Sequence, residues 1–374
     1  MSECACYTRA MASQHEQSRS ALLTALRLAE LEVEDSPSTR AMYAHDASNY
    51  RITPHAVVFP RSIEEVITAV RLCAEHGVSI TPRGAGTGTA GNTIGAGVIL
   101  EFRRHLNRIH EVDAEARTIV VEAGVILDDL NRASESLMFG PDPSSHSRAT
   151  IGGMLGNDAC GNHSIAYGRT STHVIELEVV LSDGSHCIVD HDGIRTADGN
   201  ESKSTLINEL QQLAMEFRAV ISTEFDRSPR HVSGYAAQHL VHLDLAKFLV
   251  GSEGTLAIVV AAKLHLVERP RGKQLFVIGY ENLITAARDV QTLLQFSPAA
   301  IEALDSELVA TMRAQRGSGS IAALPAGEAW LFVEFFDTIA TVEVSELEQA
   351  VSSAGNARSF REVTTSGDAA TLWR

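Results

Sequence analysis

Three glycine-rich segments constrain this chain more than any other feature of its sequence. They span Pro82–Gly91 (PRGAGTGTAG), Pro141–Gly168 (PDPSSHSRATIGGMLGNDACGNHSIAYG) and Val250–Ile258 (VGSEGTLAI). Each joins segments with strand-like patterns, and each leaves several backbone N–H groups without a neighbouring side chain. Such a backbone can approach a pyrophosphate and a flat ring system closely. Together the three segments predict a nucleotide cofactor, and we expect FAD.

The first segment matches the pattern G-x-G-x-x-G between Gly86 and Gly91, but its context differs from that of a Rossmann fingerprint. That fingerprint opens a helix whose N-terminus faces the pyrophosphate. Here Asn92–Gly97 (NTIGAG) adds two glycines and leads back to a strand at Val98. We therefore expect a phosphate cradle built from successive loop N–H groups. A flexible loop without a ligand is the alternative, although its glycines would then cost folding entropy without compensation.

The second segment supplies polar side chains as well as glycines. Pro141 and Pro143 stiffen its start, and Thr150-Ile-Gly-Gly is expected to form a backbone turn where a side chain would collide with a ring. Groups that could bond a flavin edge come from Asn157, Asn162, His163 and Tyr167. His163 is a candidate general base, since an imidazole titrates near neutral pH. The alternative is a histidine that lines the pocket or fixes the loop.

Two further side chains in these segments allow two interpretations each. Glu253 in the third segment could accept hydrogen bonds from a flavin N–H or a cofactor hydroxyl, or it could cap the turn. Cys160 could be a redox partner of the cofactor, but a small buried residue is the more ordinary interpretation. The sequence alone does not choose between the readings of Glu253.

Composition excludes several classes of function. With 31 basic against 47 acidic residues the formal net charge is −16, which argues against nucleic acid and anionic membrane as partners. No stretch has the length and apolar purity of a transmembrane helix. Residues 1–20 lack the apolar core of a secretory signal and are expected to be a disordered leader. We expect a cytoplasmic protein, with peripheral association at the inner membrane face left open.

The cysteines do not indicate a disulfide framework or a metal centre. There are 5, an odd number, and they are scattered, as is typical of a reduced compartment. No C-x-x-C-x-x-C run occurs, so we expect no iron–sulfur cluster in this chain. Cys4 and Cys6 are interpreted as two loose thiols. We therefore predict no metal site.

The 374 residues are enough for two or three domains, and the patterns of the first 270 predict an α+β fold. Helices are predicted at Ser20–Glu30, from a Ser62/Glu65 capping box to His76, at Val125–Leu137 and at Ser204–Phe217. Strands are predicted at Val57–Phe59, Val78–Thr81, Val98–Phe102, Thr118–Glu122, Val174–Leu181, Cys187–Val189 and Ala257–Glu268.

Beyond Pro270 the order of elements becomes β-α-β, β-α-β, which predicts a ferredoxin-like half-sheet. The strands are Leu275–Tyr280, Ala300–Leu304, Leu331–Phe335 and Arg358–Val363, and the helices are Ile284–Leu294 and Val342–Ala354. The last residues, Ala369–Arg374, suggest the first turn of a new helix, so we expect a truncated domain. The predicted organisation is a leader at 1–20, a cofactor-binding domain at 21–270, and a partial substrate or cap domain at 271–374.

Further motifs occur in a fixed order with the glycine segments: Asp46–Arg51 (DASNYR), Pro54–Pro60, Ile151–Gly161, Ser233-Gly234-Tyr235 and Gly251–Leu256. This set resembles the FAD-linked oxidases whose flavin domain is of the vanillyl-alcohol-oxidase or p-cresol-methylhydroxylase (PCMH) type. The resemblance implies that the FAD-binding domain at 21–270 consists of two α+β subdomains. It is most similar to the D-lactate, glycolate and D-2-hydroxyglutarate dehydrogenases. The resemblance is strong from Tyr43 to Pro270 and weak beyond it. DASNYR in particular resembles the large bacterial members that carry an iron–sulfur module downstream.

The resemblance implies that residues 83–91 hold the FAD pyrophosphate, that 144–162 line the isoalloxazine and ribityl chain, and that 253–258 close the site. It implies non-covalent FAD, because Thr87 stands where covalent members have a histidine. The predicted cofactor-binding residues are Arg83, Gly84, Ala85, Gly86, Thr87, Gly88, Thr89, Gly91, Pro141, Ser144, Ser145, Thr150, Gly152, Gly153, Asn157, Gly161, Asn162, Tyr167, Glu253, Gly254, Leu256 and Ile258.

The resemblance also implies a reaction. A hydride passes from C2 of a small 2-hydroxy acid (D-lactate, glycolate or D-2-hydroxyglutarate) to flavin N5 while a base takes the hydroxyl proton. The electrons then leave to a quinone, a cytochrome or a separate iron–sulfur protein, as in lactate catabolism. The protein's own task is to bind and orient.

The sequence departs from the family pattern in the substrate half. Members hold the substrate carboxylate with an arginine shortly after a Leu-Trp pair, and a metal with His-x-x-Gly-Asp-Gly-Asn. This chain ends one residue after Leu372-Trp373 and lacks the second motif. We expect FAD binding but poor turnover by this chain alone.

Three alternatives follow. The first is a non-catalytic FAD-binding subunit or truncated remnant that needs a second polypeptide. The second is an NADPH-dependent reductase of the cell-wall enolpyruvyl type, which shares this flavin fold. The third, an NAD-binding Rossmann protein, is disfavoured by the loop context.

Overall fold

A computed structural model describes residues 18–199, 203–225, 231–317, 319, 323–365 and 372. The chain forms two compact units. The first comprises the residues up to Phe139 together with Ser145–Ala159 and Arg169–Val267, and the second comprises Gly140–Ser144, Cys160–Gly168 and the residues from Glu268 onward. Most of the predicted leader and of the predicted turn at 369–374 lies outside the described residues, but residues 18–20 are already helical.

The first unit begins with a small, mostly parallel sheet. Helix α1 covers residues 18–28 and is followed by β1 (Val33–Glu34), α2 (Pro37–Met42), β2 (Ala56–Val58), α3 (Ile63–Glu75), β3 (Ile80–Arg83) and β4 (Val98–Glu101). The strand order is β1-β2-β4-β3, and β4 pairs in parallel with both β2 and β3. Helix α3 buries Val66, Ala69, Val70 and Cys73, which are spaced as one helical face.

Of the two hydrogen bonds in the predicted capping box at the start of α3, the one accepted by the Ser62 side chain is present. Ser62 is the N-cap, and its hydroxyl accepts from the Glu65 N–H at 3.3 Å. The Glu65 carboxylate does not return to Ser62, because it accepts instead from the N–H of Arg61 at 2.9 Å and from its guanidinium. Gly77, with φ +63°, lies just after the helix as predicted.

A six-stranded antiparallel sheet forms the rest of the first unit. Its strands are β5 (Ile109–Asp113), β6 (Thr118–Glu122), β8 (Val174–Val180), β9 (His186–Val189), β10 (Ile194–Thr196) and β11 (Ile258–His265), in the order β10-β9-β8-β11-β6-β5. The other elements are β7 (Leu137–Met138), the helices α4 (Leu127–Ala133), α5 (Ile151–Asn157), α7 (Ser204–Glu216), α8 (Arg218–Glu224) and α9 (Leu245–Leu249), and 3-10 turns at Thr170–His173 and Ala237–His242. Each of the two sheets has its own apolar core.

The second unit has the predicted ferredoxin-like order. Its elements are α6 (Ser164–Tyr167), β13 (Lys273–Tyr280), α10 (Leu283–Leu294), β14 (Ala300–Asp305), α11 (Ser306–Arg316), β15 (Ala329–Phe336), α12 (Val344–Ala354) and β16 (Ala357–Glu362). The short strand β12 (Val267–Glu268) contains the last residue of the first unit and the first residue of the main part of the second. Strands β14-β15-β13-β16 form one antiparallel sheet. Helices α10 and α12 cover one face of this sheet, and α11 packs on the other.

The predicted α+β class is confirmed, although individual elements differ from the prediction. Thr150-Ile-Gly-Gly is not a turn between strands, because Thr150 caps helix α5. Strand β5 and helix α11 were not predicted. Among the described residues no helix is both long and apolar enough to cross a membrane.

Candidate cofactor-binding cleft

The three glycine-rich segments meet at one cleft in the first unit. The cleft contains about 590 Å³ of empty space, part of it open to solvent. Its lining consists of Pro82, Arg83, Gly84, Asn92, Thr93, Phe102, Ala123, Thr150, Gly152, Gly153, Gly156, Asn157, Leu249, Ser252, Glu253, Gly254, Ala257 and Val259. Five of these are glycines, so much of the wall is bare backbone.

Arg83 fixes the first loop from within the protein. Its guanidinium donates to the carbonyl oxygens of His45 at 2.7 Å and Thr93 at 3.1 Å, and it lies 5.1 Å from the centre of the Tyr43 ring. Burial is the largest cause acting on this group and lowers its pKa. Gly86 lies beside it with φ +67°, and a Cβ there would be 2.5 Å from an Arg83 nitrogen. The loop therefore needs a glycine at 86 for its own packing.

The DASNYR motif supports the same loop from outside. The Asp46 carboxylate accepts from the Ser48 N–H at 2.8 Å and from the Thr93 hydroxyl at 3.0 Å. Burial would raise the pKa of Asp46, but these hydrogen bonds outweigh it and hold the pKa below its ordinary value. A Cβ on Gly91 would lie 2.7 Å from the Tyr50 ring. This motif therefore braces the loop and contributes no residue to the cleft lining.

Helix α5 presents a face without side chains to the cleft. Thr150 caps the helix, and Ile151, Met154 and Leu155 point into the core, while Gly152, Gly153, Gly156 and Asn157 line the cleft. Gly152 is required by packing, since a Cβ there would be 2.7 Å from Ala123. At Gly156 a Cβ would meet only the Glu253 Cα, at an ordinary 3.8 Å.

A helical glycine costs about 1 kcal/mol relative to alanine, so Gly156 is unfavourable unless something else needs the space. The protein itself does not fill that space. A bare helix face opposite a bare loop is what a flat ring or a pyrophosphate requires. The residues present fit FAD.

The third loop joins the other two. The N–H groups of Gly251 and Glu253 donate to the last carbonyls of α5, on Leu155 at 2.8 Å and on Gly156 at 2.9 Å. Gly254, with φ +73°, packs on Pro82, where a Cβ would approach to 2.3 Å. Glu253 itself has a positive φ of 54° and an exposed side chain on the cleft wall. Its carboxylate therefore lies beside the cleft, while its backbone closes the end of α5.

An amide relay sets the polarity of one cleft wall. The Asn157 Nδ2 donates to the Gly153 carbonyl oxygen at 2.9 Å. The Asn157 Oδ1 therefore faces Asn92 and accepts a hydrogen bond from the Asn92 Nδ2 at 2.8 Å. The Asn92 Oδ1 is then left buried, and among the described residues it has no hydrogen-bond partner. A buried acceptor of this kind is uncommon.

The structure distributes the predicted cofactor residues over several places. Eight lie on the cleft: Arg83, Gly84, Thr150, Gly152, Gly153, Asn157, Glu253 and Gly254. Ala85 lines an adjoining surface groove, and Leu256 and Ile258 line a second cavity of about 650 Å³ that shares Pro82, Gly254 and Ala257 with the first. The cleft lining does not include the remaining residues of the first loop, which are Gly86, Thr87, Gly88, Thr89 and Gly91. Ser145 does not line the cleft either, and its carbonyl oxygen accepts hydrogen bonds within a local turn.

Several lining residues were not named individually from the sequence. Gly156 lies within the predicted range 144–162 and stands four residues after Gly152, a spacing that places both on one helix face once α5 is recognised. Asn92 directly follows the first glycine segment. The apolar members Phe102, Ala123, Leu249 and Val259 come from separate elements and carry no local signal.

The other predicted residues belong to the second unit. These are Pro141, Ser144, Gly161, Asn162, Tyr167 and the candidate base His163. Gly161 packs tightly, since a Cβ would lie 2.1 Å from the Asp142 carbonyl oxygen. Both ring nitrogens of His163 are bonded to carboxylates, those of Asp142 and Glu334. This geometry does not favour the general-base role, which stays a prediction.

Comparison with known proteins also indicates FAD as the cofactor. Residues 54–190 match the model of a family described as an FAD binding domain. The chain is 34% identical over 288 residues to D-2-hydroxyglutarate dehydrogenase of Escherichia coli, an alignment covering 73% of this chain and 28% of that protein. It is 33% identical over 347 residues to the glycolate oxidase subunit GlcD of Bacillus subtilis, covering 91% of this chain and 64% of that protein.

The fold also resembles that of solved structures. A BBE-like 1 protein of Physcomitrella patens superimposes with a TM-score of 0.60 at 17% identity, covering 91% of this chain and 62% of that one. At this identity the likeness concerns the fold alone. The chain spans between about a quarter and two thirds of the length of the two curated relatives described above.

Proposed function

We propose that the chain is the flavin-binding part of an FAD-dependent 2-hydroxy acid dehydrogenase. The premise is that residues 54–190 match the model of an FAD binding domain. The observation that carries the proposal is the bare face of α5, with Gly156 at its centre, opposite the first glycine loop. The names of the relatives supply the substrate class. D-2-hydroxyglutarate, D-lactate and glycolate are all small 2-hydroxy acids.

The described residues of the first unit would divide the work of binding. Arg83 and Asp46 hold the glycine loop in shape, and the loop and α5 offer backbone to the cofactor. The relay from Asn92 to Asn157 fixes the polarity of the wall. Phe102, Ala123, Leu249 and Val259 supply an apolar lining that excludes water. Bound FAD would supply the hydride acceptor for oxidation of the substrate at C2.

The electron acceptor is a further part of the proposal. Flavin reduced by a hydroxy acid must be reoxidised, and a quinone, a cytochrome or an iron–sulfur protein each has the required chemistry. A flavin-binding subunit that works with a second polypeptide is the alternative, because one of the relatives is itself named as a subunit. In that case the chain would bind FAD and still need its partner for turnover.

An absorption spectrum tests the proposal. The purified chain is expected to take up FAD and show the two flavin bands, and D-lactate, glycolate or D-2-hydroxyglutarate is expected to bleach them in the absence of air. Bleaching only after a second polypeptide is added would favour the subunit alternative. A chain that holds FAD but is bleached by NADPH and by no hydroxy acid would contradict the proposed substrate class.

A further inference from the structure

A charged cluster within the second unit joins two short segments to the end of β15. One segment is Gly140–Ser144 and the other is Cys160–Gly168. The His163 Nδ1 is bonded to Asp142 Oδ2 of the first segment, and the His163 Nε2 lies 2.6 Å from Glu334 Oε2 on β15. The His163 backbone N–H also donates to Asp142 Oδ1 at 3.2 Å. A single ring thus spans both segments and the sheet.

Packing around the ring makes the connection rigid. The His163 ring lies 4.7 Å from the ring centre of Phe336, the last residue of β15, and Tyr167 of α6 packs on the same phenyl ring at 6.3 Å. On the sheet, Lys273 places its ammonium 4.6 Å from the Phe336 ring and 3.8 Å from Glu334 Oε1. The Glu334 side chain is only 6% exposed, so its charge needs these partners.

The arrangement requires a protonated ring. Each carboxylate can only accept a hydrogen bond when ionised, so a ring bonded to both must donate from both nitrogens, which only the imidazolium can do. Burial lowers the pKa of His163, but the bonds to Asp142 and Glu334 outweigh burial and raise it to about 9. A neutral ring would leave one carboxylate facing a nitrogen lone pair.

We propose that His163 is a positioning residue, whose imidazolium fixes the segment 160–168 against the end of β15 and releases it on losing its proton. Gly161, Asn162 and Tyr167, three of the cofactor contacts that the sequence predicts, belong to this segment. The connection lies within the second unit and does not rest on the proposed function. Among the described groups, the charges that face the ring are Asp142 and Glu334, with Lys273 behind Glu334 and Asp337 acting on Tyr167.

Nuclear magnetic resonance of the imidazole nitrogens in the full chain tests the protonation directly. The His163 signals are assigned by their loss in His163→Gln. We expect the ring to remain doubly protonated at pH 8 and to titrate near pH 9. A ring that is neutral at pH 7.5 would overturn the proposal.

Hydrogen exchange of amides 160–168, corrected for intrinsic rates, tests the positioning. In His163→Gln the protection of these amides is expected to be at least about tenfold lower than in the wild type. In the wild type the protection should also fall between pH 7.5 and pH 10, whereas in His163→Gln it should not change with pH over this range. His163→Gln/Glu334→Gln removes the buried uncompensated charge and is expected to restore part of the protection without its pH dependence. Protection that His163→Gln leaves unchanged, or the same pH dependence in that variant, would contradict the proposal.

His186→Gln is the matched control, because His186 Nε2 lies 2.7 Å from Glu178 Oε1 in a similar pair within the first unit. It should leave amides 160–168 unaffected.

Discussion

At the scale of single residues, Gly156 is a glycine that the packing of the fold does not require but that a bound ligand would. The protein leaves room for a Cβ at this position, and the backbone is helical, so alanine should be better for folding. Gly86 is the opposite case, because its positive φ and the Arg83 guanidinium both exclude a side chain. The sequence shows two glycines in glycine-rich segments and cannot distinguish these reasons.

Substitutions at Gly156 should therefore split stability from binding. Gly156→Ala is expected to stabilise the FAD-free chain by up to about 1 kcal/mol through helix propensity. Gly156→Leu should retain the fold, as judged by circular dichroism, and lower FAD affinity at least tenfold, because its side chain occupies the cleft. Denaturant unfolding and an FAD titration measure the two effects, and unaltered affinity in Gly156→Leu would exclude α5 as the cofactor wall.

Gly86→Val should damage the loop itself. We expect a lower unfolding temperature even without FAD, because the branched side chain meets Arg83 and forces a strained backbone. Loss of flavin in this variant would therefore not identify a phosphate contact. An unfolding temperature equal to that of the wild type in a thermal scan would show that Gly86 is free of this constraint.

At the scale of elements, helix α5 forms against its own propensity. Three glycines in seven residues disfavour a helix, and this is why the sequence suggested a turn there. Ile151, Met154 and Leu155 bury one face, and Thr150 supplies a cap, so tertiary packing decides the outcome. Strand β5 was missed for a related reason, because IHEVD exposes most of its side chains and does not alternate.

The cap on α5 can be measured. The Thr150 hydroxyl accepts from the Gly153 N–H at 3.2 Å, and the residue is almost completely buried. Thr150→Val keeps the shape and removes the acceptor, so it should cost about 1 kcal/mol of unfolding free energy, while Thr150→Ser should cost less. A loss in Thr150→Ser without a loss in Thr150→Val, determined by urea denaturation, would show that the methyl group and not the hydroxyl matters.

The histidine cluster predicts how stability depends on pH. In the folded chain the His163 pKa is raised from 6.5 to about 9, so its contribution is fully present below pH 6.5 and is lost as the pH rises through 9. Between these values the unfolding free energy of the wild type should fall relative to His163→Gln, by at most about 1.4 kcal/mol per pH unit. Urea denaturation at pH 6.5, 8 and 9 gives this difference, and a constant difference would contradict the ion cluster.

At the scale of the whole molecule, the order of the glycine segments and the β-α-β, β-α-β pattern allowed the α+β class and the ferredoxin-like sheet to be predicted. The second unit also takes in Gly140–Ser144 and Cys160–Gly168, which are separated from its main part by about a hundred residues or more. Local patterns cannot reveal such membership, because it depends on long-range contacts such as that of His163 with Glu334. The lining of the cleft shows the same limit, since its apolar residues come from scattered elements.

Titration of FAD into the purified, FAD-free chain, followed by flavin absorbance and fluorescence, tests the central claim most directly. One FAD per chain should bind to the wild type. Gly156→Ala should bind FAD more weakly than the wild type, because its methyl group enters the space left at this position, and Gly156→Leu should bind it at least tenfold more weakly. A folded wild-type chain that takes up no FAD, or a Gly156→Leu chain that binds it as well as the wild type, would contradict the account.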